Sequence, residues 1–263
     1  MPSINSHDLP PRPRRLLAPE VGQTSTMDCG PAALKCVLEG WHLPISYGRL
    51  REACQTSVDG TSIDALEDVA QQLGLQAEQV MVPVDHLLRG PAALPAIVVV
   101  RHADAATHFV VVWRRLGGWL QVMDPAIGRR WLRARDFLDE VYRHQAEVDA
   151  ADWRAWAGTA DFTTPLQQRL QALGLGPAAA QALIAEALQD EGWLAIAGLD
   201  AAARALQSLV DAGGCRHGAE AATLLQALWL RGVQQALQAP ASLSPVHWSV
   251  RPGPGEDRLL LAG

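Results

Sequence analysis

Apolar positions change their spacing along the chain, and the changes mark out three regions. From Pro31 onward Ala33, Leu34, Val37 and Leu38 fall on one helical face until Gly40 ends the run, with Pro31 in an early turn where a missing N–H is tolerated. The spacing predicts a helix that opens close to Cys29. Ser46 to Cys54 makes a short second helix. Thr61-Ser62-Ile63-Asp64 reads as a capping box, after which Leu66, Val69, Ala70 and Leu73 repeat at helical spacing up to Gly74.

From Leu94 the texture becomes short β-branched and aromatic runs. Ile97 to Val100, Phe109 to Trp113 and Trp119 to Met123 read as strands, broken at Arg101 to Ala106 and at Gly117-Gly118. A helix from about Arg133 to Tyr142 closes this part. Helices first and an antiparallel sheet second is an α+β order, unlike the strict alternation of a doubly wound fold.

Beyond Val148 the composition turns to Ala, Leu and Gln with almost no β-branched runs. Leu166–Leu173, Pro177–Leu188, Asp200–Val210 and Ala219–Leu237 show helical spacing, with Gly174, Gly192 and Gly213-Gly214 as stops. Trp153, Trp156, Trp193 and Trp229 are expected as core or interface anchors. These shifts divide the chain into a flexible tail (residues 1–16), an α+β domain (17–148) and an additional C-terminal helical domain with a linker (149–263). The tail rests on the proline- and arginine-rich Leu9 to Arg15, and the linker on Pro252-Gly253-Pro254-Gly255. Leu259-Leu260-Leu261 is either a short terminal strand or the front of a polypeptide that continues.

Composition narrows the chemistry. The chain has 263 residues, 49 % hydrophobic and 19 % charged, which excludes whole-chain disorder. Lys35 is the sole lysine and follows Leu34, so a phosphate loop with a lysine right after a glycine is absent. A net charge of −6 argues against nucleic acid as the partner. Cys29, Cys36, Cys54 and Cys215 form no C-x-x-C pair, so no metal and no cofactor are expected, and a reducing compartment fits. With no signal peptide and no membrane-length apolar run, the expected location is cytoplasmic. Lys35 is expected on a solvated helix surface.

The stretch Gln23-Thr24-Ser25-Thr26-Met27-Asp28-Cys29-Gly30-Pro31 sets a cysteine at a helix threshold, where unpaired N–H groups and the helix dipole favour a thiolate. A buried small hydrophobe is the competing reading, and it is the one assigned to the other three cysteines. A thiolate nucleophile needs a proton acceptor and an orienting group. His108 opens the most apolar strand, with His102 as the nearest competitor. Asp124 ends the next strand, where a hairpin would bring it near His108; its other reading is a turn initiator before Pro125.

Taken together, Gln23, Asp28-Cys29-Gly30-Pro31-Ala32, Tyr47 to Arg51, Asp59 to Ser62, His108 to Val111 and Asp124-Pro125-Ala126-x-Gly128 resemble the bacteriocin-processing, double-glycine leader peptidases. These are papain-like cysteine peptidase domains of peptidase-containing ABC transporters, and the resemblance runs from about Leu17 to Tyr142. It implies Cys29 as nucleophile, His108 as general base and then acid, Asp124 as orienting carboxylate and Gln23 as oxyanion donor. It implies as partners a precursor peptide with a helical leader and a Gly-Gly motif, and the membrane and ATPase domains of a transporter on the same or another chain. That would place the protein at the cytoplasmic face of a membrane. A leader-binding module that does not cut, and another Cys-His-Asp acyl-transfer enzyme, are the alternatives.

Overall fold

The computed structural model describes residues 14–58, 60–89, 94–101, 106–235, 243–255 and 257–263. Its elements are α1 (Cys29–Gly40), α2 (Tyr47–Ala53), α3 (Ile63–Gln72), α4 (His86–Arg89), β1 (Ala96–Arg101), β2 (Thr107–Leu116), β3 (Trp119–Asp124), β4 (Gly128–Arg133), α5 (Ala134–Glu140) and β5 (Gln145–Asp149). There follow α6 (Ala150–Ala157), α7 (Ala160–Ala172), α8 (Pro177–Leu188), α9 (Leu194–Asp211), α10 (Ala219–Gln235), a 3-10 turn (Pro245–His247), β6 (Val250–Pro252) and β7 (Arg258–Ala262). They form two compact units, one of residues 1–80 and 93–142, the other of 81–92 and 143–263. No helix among the described residues is long and apolar enough to cross a membrane.

In the first unit an antiparallel sheet in the order β1-β2-β3-β4 backs a central helix, α1. One face of α1 buries Ala32, Ala33 and Cys36 with Val111, Trp113 and Met123, and the other buries Leu34 and Leu38 with Leu50, Leu66, Val69 and Ala70 of α2 and α3. A helix apolar nearly all round is the signature of one enclosed on several sides. Gly40 lets it lie against the sheet, since a methyl group there would fall 1.9 Å from the Trp113 ring.

Several local expectations change. Ser62, not Thr61, caps α3, its hydroxyl accepting from the Ala65 N–H at 3.2 Å, while the Thr61 and Thr56 hydroxyls share a 2.7 Å hydrogen bond. Lys35 is half-buried, not fully solvated: its ammonium donates to the Ile45 carbonyl at 2.7 Å and pairs with Glu39 at 2.7 Å. Arg14 and Arg15, expected in a flexible tail, are held in place. The Arg14 guanidinium lies 5.1 Å from the Trp113 ring centroid and donates to the Leu94 carbonyl, and Trp113 Nε1 donates to the Arg15 carbonyl. Cation–π contact and paired backbone outweigh the local preference for an extended solvated arm. Residues 1–13, His102 and Asp59 lie outside the described residues.

The second unit is helical with a three-stranded antiparallel sheet, β5-β7-β6. The apolar run at Leu259 to Leu261 is therefore the middle strand of a sheet, and Pro252 to Gly255 begins the hairpin leading into it. Residues 143–148, expected in the α+β domain, belong to this unit, where Gln145 to Asp149 pair with β7. The core gathers Trp153, Phe162, Leu166, Leu170, Ile184, Leu199, Leu206 and Trp229, with Trp156 and Trp193 half-buried against it. Inside this unit Arg169 and Arg204 pair with Asp85 and Asp200, and Ser249 donates to Asp200.

Candidate active site

Cys29 is the first residue of α1 and is 8 % exposed. The residue before it occupies the N-cap position, where an aspartate ordinarily accepts a hydrogen bond from the first helical turn. Asp28 makes no such bond. With Pro31 lacking an N–H, the amides of Cys29 and Gly30 keep their donors at the positive end of the helix.

His108 lies on β2, 6 % exposed, and Asp124 ends β3, fully buried. The β2–β3 register pairs Val111 with Met123. Continued by one residue, it sets Asp124 diagonally across from His108 on the same face. The His108 Nε2–H donates to Asp124 Oδ1 at 2.9 Å, and the same oxygen accepts from the Ala126 N–H at 2.9 Å. Arg130 approaches Oδ2 at 3.6 Å and also holds Glu140 at 3.1 Å. The imidazole's other side engages the Cys29 thiol. The strand ends and the helix start thus bring Cys29, His108 and Asp124 together as one chain of hydrogen bonds.

Electrostatics sets the charges of this chain. Burial alone would lift the Cys29 thiol, but the hydrogen bond to His108, backbone contacts at Phe109 and Gly30, and the positive imidazolium bring it below the ordinary value. Burial alone would lower His108, yet its bonds to Asp124 and Cys29 raise it to about 9. Burial pushes the Cys36 and Cys54 thiols up to about 12 and about 11. Only at Cys29 does the fold favour a thiolate among these three.

Gln23 is half-buried, six residues before Cys29, and its N–H donates to the Pro125 carbonyl at 2.9 Å, next to the Asp124 corner. Its side-chain Oε1 is buried without a hydrogen-bond partner among the described residues. The segment between Gln23 and Cys29 is fastened by a group whose role sequence reasoning did not assign. Thr24 Oγ1 donates to Asp28 Oδ2 at 2.5 Å, Arg51 Nε stands 3.0 Å from Asp28 Oδ1, and the Tyr47 hydroxyl donates to the Asp28 carbonyl at 3.3 Å. Tyr47 and Arg51 belong to the motif at the start of α2; the cue to their work was the acidic residue adjoining the cysteine. Gly30 explains a further motif, since a methyl group there would meet Thr61 Cβ at 3.0 Å.

Comparison with known proteins fits this geometry. The model of the peptidase C39 family matches residues 18–144. An uncharacterized protein of Methanothermobacter marburgensis is 33 % identical over 122 residues, covering 46 % of this chain and 81 % of that protein. The chain belongs to the peptidase C39 family.

This C39 member is a cysteine peptidase with an α+β domain. It is also similar to the pediocin PA-1 transport/processing ATP-binding protein of Pediococcus acidilactici, 33 % identical over 103 residues and 39 % of this chain. The chain spans 14 % of the length of that relative. Among solved structures, a double glycine motif protease from an AMS/PCAT transporter, in complex with the leader peptide, aligns at 24 % identity and a TM-score of 0.43 over 49 % of this chain and 89 % of that one. Residues 145–263 of the C39 peptidase fall outside the family match.

Proposed function

We propose that this C39 peptidase removes the leader of a ribosomally made precursor peptide by cutting after a Gly-Gly type pair, and that residues 17–148 carry the activity. The observation that supports it is the hydrogen-bonded run from Cys29 through His108 to Asp124, with the thiol lowered and the imidazole raised to about 9. A thiolate and an imidazolium are then the resting charges at neutral pH, the pairing a cysteine nucleophile uses.

The Cys29 thiolate adds to the carbonyl carbon of the second glycine. The oxyanion that forms is met by the Cys29 N–H and the Gln23 side chain. His108 gives its Nδ1 proton to the leaving amine as the C–N bond breaks, since Nε2 is engaged by Asp124. The acyl-enzyme is resolved when His108 takes a proton from water and the hydroxide displaces the thiolate. Export follows cleavage through an ABC transporter, whose membrane and ATPase parts belong to the same longer polypeptide or to another chain, and the peptidase works at the cytoplasmic face.

The test is mass spectrometry of precursor peptides with a Gly-Gly junction after exposure to the protein and to Cys29→Ala. One cut after the second glycine, with the mass of water added and no product from Cys29→Ala, is the expected result. Uncut precursors that bind both proteins equally would replace peptidase action with leader binding, and loss of ammonia without cleavage would point to acyl transfer.

A further inference from the structure

Resting on the reading of Gln23 as an oxyanion donor, we infer that Asp28 is a positioning residue whose carboxylate sets the spacing between Gln23 and Cys29. Its side chain is fully buried, and a buried carboxylate is tolerated only where partners replace its lost hydration, so those partners define where it can sit. Those partners lie on both sides of the loop. Thr24, the neighbour of Gln23, donates to one carboxylate oxygen at 2.5 Å, and Arg51 of α2 faces the other at 3.0 Å. Tyr47 holds the Asp28 carbonyl at 3.3 Å, and Ala32 N–H donates to the same carbonyl at 3.0 Å as α1 begins.

At its far end the loop is tied through the Gln23 N–H to Pro125, beside Asp124. Residues 23–28 are thus pinned at the orienting carboxylate, at α2 and at the nucleophile's own helix. The same arrangement explains why an aspartate at an N-cap does not cap. A carboxylate turned toward Thr24 and Arg51 leaves the first amides of α1 without a competing anion, available to the thiolate and to a developing oxyanion. Hydrogen bonds that exist before the substrate arrives cost no reorganisation during the reaction, and misplacing one donor by about 1 Å is enough to cost on the order of 100-fold.

A double-mutant cycle between Asp28→Ala and Gln23→Ala tests this. Two readouts are taken: kcat and KM on a Gly-Gly precursor, and capture of a short glycine aldehyde as the hemithioacetal, which needs the oxyanion donors but no leader. Asp28→Ala is expected to lower kcat and aldehyde affinity about 100-fold with KM little changed, and to add almost nothing once Gln23 is already alanine. The pH dependence of Cys29 alkylation should stay where it is in the wild type. Losses that multiply in the double variant, a shifted alkylation profile, or no loss in Asp28→Ala would overturn the inference.

If wild type captures the aldehyde and cuts no Gly-Gly precursor, the substrate reading fails while the cycle on aldehyde capture still decides the role of Asp28. Thermal melting checks that each variant is folded. Asp28→Asn, which keeps an acceptor for Thr24 without the charge facing Arg51, and Thr24→Val, which removes one donor, carry the same cycle should Asp28→Ala melt early.

Discussion

His108 stands between a carboxylate and a thiol, and that position decides where its proton lies. Burial alone would lower its pKa, and Asp124 and Cys29 together raise it to about 9. A histidine shifted upward from 6.5 stabilises the folded state fully below pH 6.5 and loses that contribution as pH rises through about 9. The same proton is needed by the leaving amine, so the alkaline limb of kcat should fall near pH 9. Asp124→Asn removes the negative charge, and we expect the limb to move toward 6.5 with kcat lowered about 100-fold or more, as read from kcat against pH. An unmoved limb would mean that Asp124 does not set the charge of His108. At this scale much was legible. A cysteine before a helix, a histidine opening an apolar strand and an aspartate ending the next are local patterns. The tie from Arg51 to Asp28 was not, because it joins side chains 23 positions apart through a turn whose geometry leaves no periodic trace.

At the scale of elements, α1 carries Cys29, and its placement against β2 depends on the absence of a side chain at Gly40. An added methyl would overlap Trp113 Cη2 at 1.9 Å and approach two further ring atoms at 2.7 and 2.8 Å. The ring is fully buried and donates to Arg15, so it has little room to yield. Gly40→Ala should therefore destabilise the first unit by about 1–3 kcal/mol, seen as a lower melting temperature. Gly48→Ala is the control, exposed on α2 with nothing within 4 Å of the new methyl, and should hold or raise stability. The apolar strands β1 to β3 could be read as continuous β-branched and aromatic runs, since β2 and β3 are buried on consecutive residues, and most helices from the spacing of one buried face. Not so β4, whose sequence Gly-Arg-Arg-Trp-Leu-Arg forms an edge strand, with arginines and a tryptophan turned outward and no β-branched residue. Helix α6 was passed over as a boundary, although Asp149 caps it through the Ala151 N–H at 2.8 Å.

At the scale of the whole chain, sequence order and spatial grouping part company. Residues 81–92 lie between two elements of the first unit yet belong to the second, and no compositional shift marks them. Packing and charge both fasten them there, Met81 lying on the core and the His86 ring 5.5 Å from Phe162, while Asp85 enters a network of ion pairs. Asp85 pairs with Arg169 and with Arg204 Nη1, the latter at 2.7 Å, while Asp200 pairs with Arg169 and with Arg204 Nε, the latter at 2.9 Å. Burial on its own would lift both carboxyls, but Arg204 and Arg169 hold them below the ordinary 3.8. Carboxyls lowered in this way stabilise the fold above about pH 4 and lose that contribution as pH falls through their folded values. Arg169 is 2 % exposed, and removing it leaves the fully buried Asp200 facing Arg204 alone, while Asp85 keeps Arg204 and, at 3.8 Å, Arg89. Breaking a buried network by deleting one partner costs about 3–5 kcal/mol, and Arg169→Met should cost that much. Hydrogen exchange resolved by peptide is the direct measurement. Exchange should accelerate in α7, α9 and residues 81–92 while the peptide containing α1 keeps its wild-type protection. Equal acceleration in α1 would show that the network supports the peptidase unit as well, and unchanged exchange throughout would mean that packing, not charge, holds residues 81–92 in place.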